Sequence, residues 1–262
     1  MNIVTSIIFC FFLLQVKSQD KIFQASYNSD NGFFQRRSIL IVKNDSTFYI
    51  TQKKKLNDKA VNKKINEKDR FSNHSSIFQS NGKLKMQTIF AVINSNDIYL
   101  LQDYKNKPHL VKDLLPVMNW QFSNDSKNIS GLHCKKATLN FRGSFIEAWY
   151  TEAIPISAGP WKFKGLPGLI VEVYTVRDTF TKSWSLTEYG FQSFDNSLIE
   201  FPNYLPRISL EEKVKLNDKY DKERASISNS RVPNGVKVVK TIFNRLGVEK
   251  SYEWEKSIIE KD

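Results

Sequence analysis

Short runs of alternating or continuous apolar residues, broken every eight to twelve positions by Asn, Asp, Gly or Pro, dominate the chain and predict strands. "KIFQASY" (21–27), "RRSILIVKN" (36–44) and "STFYITQK" (46–53) are separated by Asn28–Gly32 and by Asn44-Asp45, so they read as a three-stranded meander. "KMQTIFAVI" (85–93) and "DIYLLQDY" (97–104) flank Asn94-Ser95-Asn96 and read as a hairpin. "HLVKDLLPVMNWQF" (109–122) is ambiguous, and Pro116 rules out a continuous helix there. The densest β pattern runs from Leu132 to Phe191, as "LHCKKATLNF", "SFIEAWYTEAI", "GLIVEVYTV" and "TKSWSLTEYGF". Strands this close, with no helix between them, pair antiparallel. One helix is expected, opening at Ser209 with Glu212 three residues on as a capping box. Its narrow stripe, Leu210, Val214 and Tyr220, places it on a surface. "GVKVVKTIFNRL" (235–246) reads as a late strand, and the stretch around Trp254 is undecided. The fold expected is mainly β, one domain on an antiparallel, curved, half-barrel-like sheet with one or two peripheral helices.

The stretch "GPWKFKGLPGLIVEVY" (159–174) joins rigid turns to a dense apolar cluster. Leu166-Pro167-Gly168-Leu169 fits a type II turn, with glycine taking the positive φ at its third position. Past it, Leu169, Val171 and Val173 should face one way and Ile170, Glu172 and Tyr174 the other. Gly159-Pro160 turns the chain upstream, and Trp161 and Phe163 project as a hydrophobic plug over the sheet.

At these residues the sequence resembles the GLPGLI family, exported proteins of Bacteroidetes-type bacteria named for the hexapeptide here spanning Gly165, Leu166, Pro167, Gly168, Leu169 and Ile170. The likeness is strongest from Gly131 to Leu186 and includes Cys134, Trp149-Tyr150-Thr151 and Gly159-Pro160. The resemblance implies an exported bacterial protein. It brings no established activity and no catalytic residues.

The N-terminus agrees with export. Ile3 to Val16 is apolar but shorter than the roughly 20 residues of a spanning helix, and Val16-Lys17-Ser18 offers small residues for a peptidase. A secretory signal peptide cleaved after Ser18 is expected, leaving residues 19–262 as one domain, periplasmic or envelope-associated, with no transmembrane segment. Of the two cysteines only Cys134 then remains, so no internal disulfide is available. The 262-residue chain carries a net charge of +12, concentrated between Lys53 and Arg70, where no aromatic is interleaved. That charge run reads as a solvated face, and nucleic acid is not an expected partner.

Candidate chemistry is sparse. Cys134 has basic neighbours, but His133 and Lys135 should face away from its thiol, which reads as a buried small hydrophobe. His74, His109 and His133 show no metal-ligand spacing, and no cofactor is called for. Glu147 and Glu172 would form an acid/base pair on facing strands, or else pair with nearby Lys and Arg. The aromatics Trp149, Tyr150, Trp161, Phe163, Tyr174 and Trp184 either line an apolar concavity for a ligand or fill a core. The reading favoured is a non-enzymatic binding, carrier or envelope accessory protein, taking an apolar ligand or another envelope protein on a sheet face or edge. A metal- or redox-linked protein using Cys134 is the alternative, and a hydrolase comes last.

Overall fold

The computed structural model describes residues 21–32, 35–52, 86–176, 182–193, 201–230, 245 and 247–255. Among them β1 (Lys21–Asp30), β2 (Gln35–Lys43), β3 (Ser46–Gln52), β4 (Met86–Val92), β5 (Asp97–Tyr104) and β6 (Lys107–Leu114) form one antiparallel meander. A second meander comprises β7 (Gln121–Ile129), β8 (Leu132–Phe141), β9 (Ser144–Thr151), β10 (Leu169–Val176) and β11 (Lys182–Ser193). The two join where β1 pairs antiparallel with β11, and the short β12 (Arg207–Ser209) adds to β6 in parallel. The result is one 12-stranded sheet in the order β12-β6-β5-β4-β3-β2-β1-β11-β10-β9-β8-β7, followed by α1 (Leu210–Ser230). The mainly β, antiparallel architecture matches the expectation.

Topology forces the curvature. β6 and β7 are consecutive in the chain yet lie ten positions apart in the sheet. A flat sheet would separate them by about 48 Å at ~4.8 Å per strand. The link from Leu115 to Trp120 can reach only about 25 Å. The sheet must therefore curl until its ends approach each other, the direction in which strand twist already drives it. One contact records the closure: Arg142, at the β8–β9 tip, donates two hydrogen bonds to Asp113 of β6 at 2.8 and 3.0 Å.

The inner face holds the main core. Leu40, Ile89, Leu100 and Val111 of the first meander meet Leu139, Phe141, Ile146 and Val173 of the second, all buried. The loop between β9 and β10 enters this space and fills it with Phe163 and Leu166, each 1% exposed. A small outer cluster of Phe90, Leu101 and Leu110 is covered by Phe201 and Leu205.

Two-residue turns fix the hairpins. Ser130-Gly131 and Arg142-Gly143 both have positive φ at each residue, the type I′ geometry whose twist suits tight hairpins. α1 begins as expected, with the Glu212 amide donating to Ser209 Oγ at 3.0 Å. Glu212 does not return the contact; its carboxylate accepts from Tyr104 Oη at 2.7 Å. Leu210 and Val214 pack into the main core, while Tyr220 is exposed.

Several readings are corrected. Gly168 does not have positive φ, so no type II turn forms. Its amide donates instead to Leu166 O at 2.8 Å, a turn of one residue fewer centred on Pro167. The glycine is required because a Cβ there would lie 2.0 Å from Thr151 O. The alternation after it is broken by a bulge between Ile170 and Glu172, so Ile170 faces inward with Val173 rather than outward with Glu172. β7, hidden in the ambiguous segment and its polar sequel, is an edge strand. The late strand expected over 235–246, apart from Arg245, which is not in a strand, lies outside the described residues, as do the lysine-rich segment and the signal peptide.

Candidate functional site

The six candidate aromatics do not form one surface. Trp161, Phe163 and Trp184 meet on the inner face: Trp161 and Trp184 stack at 6.0 Å and 18°, and Phe163 stands edge-on to both. Tyr150 lies towards β7, edge-on to Phe122. Trp149 and Tyr174 occupy the outer face under Lys127, whose ammonium is 4.2 Å from the Trp149 ring centre. The notional apolar concavity is filled by the inserted loop, leaving beneath it a cavity of about 20 Å³, room for a single water at most.

The carboxylates proposed as an acid/base pair are separately neutralised on the outer face. Glu172 pairs with Lys127 at 2.8 Å and accepts from Tyr174 Oη at 2.9 Å. Glu147 pairs with Lys136 at 3.1 Å and accepts from Trp149 Nε1 at 3.0 Å. Cys134 is wholly buried. Burial first, and the charge of Glu172 second, push its thiol up to about 11, with Lys127 pulling the other way. His133 and Lys135 are exposed, as strand alternation requires. Among the described residues no group of three or more His, Cys, Asp or Glu is placed to hold a metal.

Sequence reading did not find the ion cluster that locks the curled sheet. Arg142 and Lys162 are buried with Asp113; their side chains are 0%, 1% and 1% exposed. Lys162 donates to Asp113 at 2.8 Å and to both oxygens of Glu249 at 2.7 and 2.9 Å. Arg142 also bonds Glu249 and Glu253. The Gly247–Glu255 segment is held against the β8–β9 tip by the amides of Lys250 and Ser251, which donate to Arg142 O. Burial pushes the Asp113 carboxyl up, but Lys162 and Arg142 outweigh it and hold the carboxyl below the usual range. This cluster is internally paired, so its chemistry is structural.

Lys164 fixes the other side of the plug. Its ammonium donates to the carbonyls of Val92, Ile93 and Ser95, and its own carbonyl accepts from Trp120 Nε1 at 2.8 Å. Between these anchors Trp161 has φ 59°. A bulky side chain in the left-handed region costs of order 1–3 kcal/mol, and such outliers gather at functional sites.

Trp161 and Trp184 wall a cleft of about 130 Å³. Strand ends complete it: Asp30 closes β1, Arg36 is second in β2 and Lys182 opens β11, with Tyr49 of β3 also in the lining. The Lys182 ammonium stands 4.6 Å from the Trp184 ring centre. Burial lowers it to about 8, Arg36 adding to the effect and Glu249 opposing it. Tyr49 is 4% exposed, and burial pushes its hydroxyl up to about 12 while neighbouring Ser38, Thr51 and Trp184 pull it back. Ser38 and Thr51, close beside it, bond each other at 3.0 Å. Asp30 is occupied by its own turn, accepting from Gly32 N at 2.7 Å and Gln35 Nε2 at 3.0 Å. A wider groove of about 510 Å³ runs beside β7, lined by Phe122, Tyr150 and the paired Lys135 and Glu152. It is broad, and its principal charges already satisfy one another.

Trp161 and Trp184 were singled out from sequence, but Arg36, Tyr49 and Lys182 were not. No local pattern marks them, since they come from three strands and converge only in the folded sheet.

These features define a class of architecture: a wide antiparallel sheet curled around its own inserted loop, with a small polar cleft where the loop leaves space. A family model described as "Protein of unknown function (Porph_ging)" matches residues 141–172, which run from the β8–β9 tip through the plug into β10. No curated protein sequence matches the chain. Among solved structures it is similar to PNGF-II in two crystal forms, at 16% identity and a TM-score of 0.51 in each. The matches cover 77% and 75% of this chain but 34% and 33% of PNGF-II, so this chain spans about a third of that protein's length. At that identity the likeness is one of fold. The Pseudomonas aeruginosa MucA/MucB complex also aligns, at 8% identity and a TM-score of 0.36, covering 73% of this chain and 59% of that one.

Proposed function

We propose that this is an exported, non-enzymatic binding protein of the periplasm or cell envelope, its single domain spanning residues 19–262 after cleavage behind Ser18. Its ligand or envelope partner is recognised at the Trp161–Trp184 cleft. The observation that carries the reading is the contrast in space along the inner face. Beneath the plug only about 20 Å³ is free, whereas about 130 Å³ remains where the two indole rings meet Arg36 and Lys182, which have no carboxylate partner among the described residues. Ligand sites in general combine an aromatic wall with a few convergent polar groups. Supporting the non-enzymatic part, the carboxylates considered for catalysis are each neutralised by a lysine, and the one thiol considered is sealed from solvent. Among the described residues no helix is long and apolar enough to cross a membrane.

Two measurements test this. N-terminal sequencing of the chain recovered from the periplasm of a bacterial host should find Gln19 first; an intact leader in the cytosol refutes export. Native mass spectrometry of the protein from its own host should reveal a bound molecule that Trp161→Ala releases. Retention of that molecule by the variant would move the site elsewhere.

A further inference from the structure

Resting on that reading, we propose that the cleft takes an oxyanion, a phosphate group presented by a soluble ester or by a lipid headgroup. Three observations converge. First, Arg36 and Lys182 bring two cations to the cleft, and no carboxylate lies within ion-pair distance of either among the described residues. Lys182 is drawn out of water without a counter-charge, which is costly, and an arriving anion removes that cost, with the exposed Arg36 adding attraction. Second, the buried Tyr49 hydroxyl lines the cleft beside Ser38, Thr51 and Trp184 without a hydrogen bond of full geometry among the described residues. Polar groups so placed are ordinarily bonded, and a phosphate oxygen would accept from it. Third, the space is small. About 130 Å³ is the share of roughly four water molecules. That suits an anionic head and excludes an acyl chain, so the remainder of the ligand stays outside or lies along Trp161.

The other charges fit this assignment. Asp30, the carboxylate on the cleft wall, accepts from Gly32 and Gln35 and keeps its negative charge, which the two cations outnumber. Glu249 acts on Lys182 from a distance while bonded to Lys162 and Arg142. Lys182 is charged below about 8 and loses its proton above that value, so anion binding should weaken as pH rises from 7 to 9.

The test uses calorimetry with glucose 6-phosphate and cosedimentation with phosphatidylglycerol vesicles. Glucose and phosphatidylcholine vesicles serve as neutral controls. Glucose 6-phosphate binding supports a soluble source, and vesicle binding alone supports a lipid headgroup. Lys182→Gln should weaken either by about tenfold or more, the loss of one charge-assisted contact. Tyr49→Phe should weaken it several-fold, and Arg36→Gln, at an exposed position, guards against a folding artefact. Failure of both phosphate probes, or binding undiminished in all three variants, overturns the proposal. A neutral host ligand released by Trp161→Ala would overturn the oxyanion alone and leave the binding reading intact.

Discussion

Gly168 and Gly165 sit three residues apart and are needed for different reasons. A Cβ on Gly168 would strike the Thr151 carbonyl, a backbone atom that cannot yield. Gly165 has φ +89° with its nearest neighbour an ordinary 3.7 Å away, at Trp120 Nε1. Urea unfolding should therefore find Gly168→Ala less stable by about 3 kcal/mol, and Gly165→Ala by only about 1–2 kcal/mol, the left-handed backbone term. Equal losses would contradict this division. Asp113→Asn leaves Arg142 and Lys162 short of a buried counter-charge and should cost about 3–5 kcal/mol at pH 7. The wild-type carboxyl titrates lower when folded than when unfolded, near 3.9. Its contribution is thus present above pH ~4 and fades as pH falls through the folded value. The gap between wild-type and variant urea midpoints should accordingly be narrower at pH 3 than at pH 7; a constant gap would remove Asp113 as the source. At Cys134 a thiol raised to about 11 under complete burial should resist labelling at pH 8 until denaturant is added. Strand alternation made legible that His133 and Lys135 face away from the thiol, while its complete burial came only with the folded sheet. The ion cluster was not legible, because Asp113, Arg142, Lys162 and Glu249 are far apart in sequence and look like ordinary surface charges until the sheet curls. The Pro-Gly pair misled for a related reason. Its glycine answers to a distant carbonyl, and local turn chemistry carries no trace of that.

At the scale of elements, the well-read strands share one property: each has a face that meets the core. β1 to β5 and β8 to β11 lie near the bounds their apolar patterns suggested, because burial writes a period of two into the sequence. β7, "QFSNDSKNI", is an edge strand with most of its residues exposed or half-exposed, so it carries no such signature. Its polarity also suits an edge that must not recruit another chain. α1 reads as a surface helix for most of its length, yet its first turn and a half is core. Ser209→Ala should lower stability by about 1 kcal/mol through the lost cap. Val214→Ala should cost more, and the exposed Tyr220→Ala should stay within about 0.5 kcal/mol. Thermal melts of the three variants check the ranking; a large effect at Tyr220 would mean that the helix's outer half is engaged.

For the whole molecule, the class of fold was legible, but the shape of its interior was not. Alternation and turn spacing specify antiparallel strands; they leave open whether a curved sheet encloses a ligand or its own loop. Here the loop wins, because Trp161 and Phe163 are placed by anchors at both ends, Lys162 in the ion cluster and Lys164 on the β4–β5 turn carbonyls. The ladder between β1 and β11 has a further consequence. It matches Lys21 with Ser193, whereas nearly every other ladder joins neighbours in the chain. A polypeptide emerging from the ribosome can zip each half locally, but the central seam must wait for its far-off complement, and such distant closure slows folding. The two halves should then behave as complementary pieces. Severed between Pro116 and Val117 and produced as separate polypeptides, they should reassociate along that seam and regain the intact protein's near-ultraviolet dichroism, which neither piece should show alone.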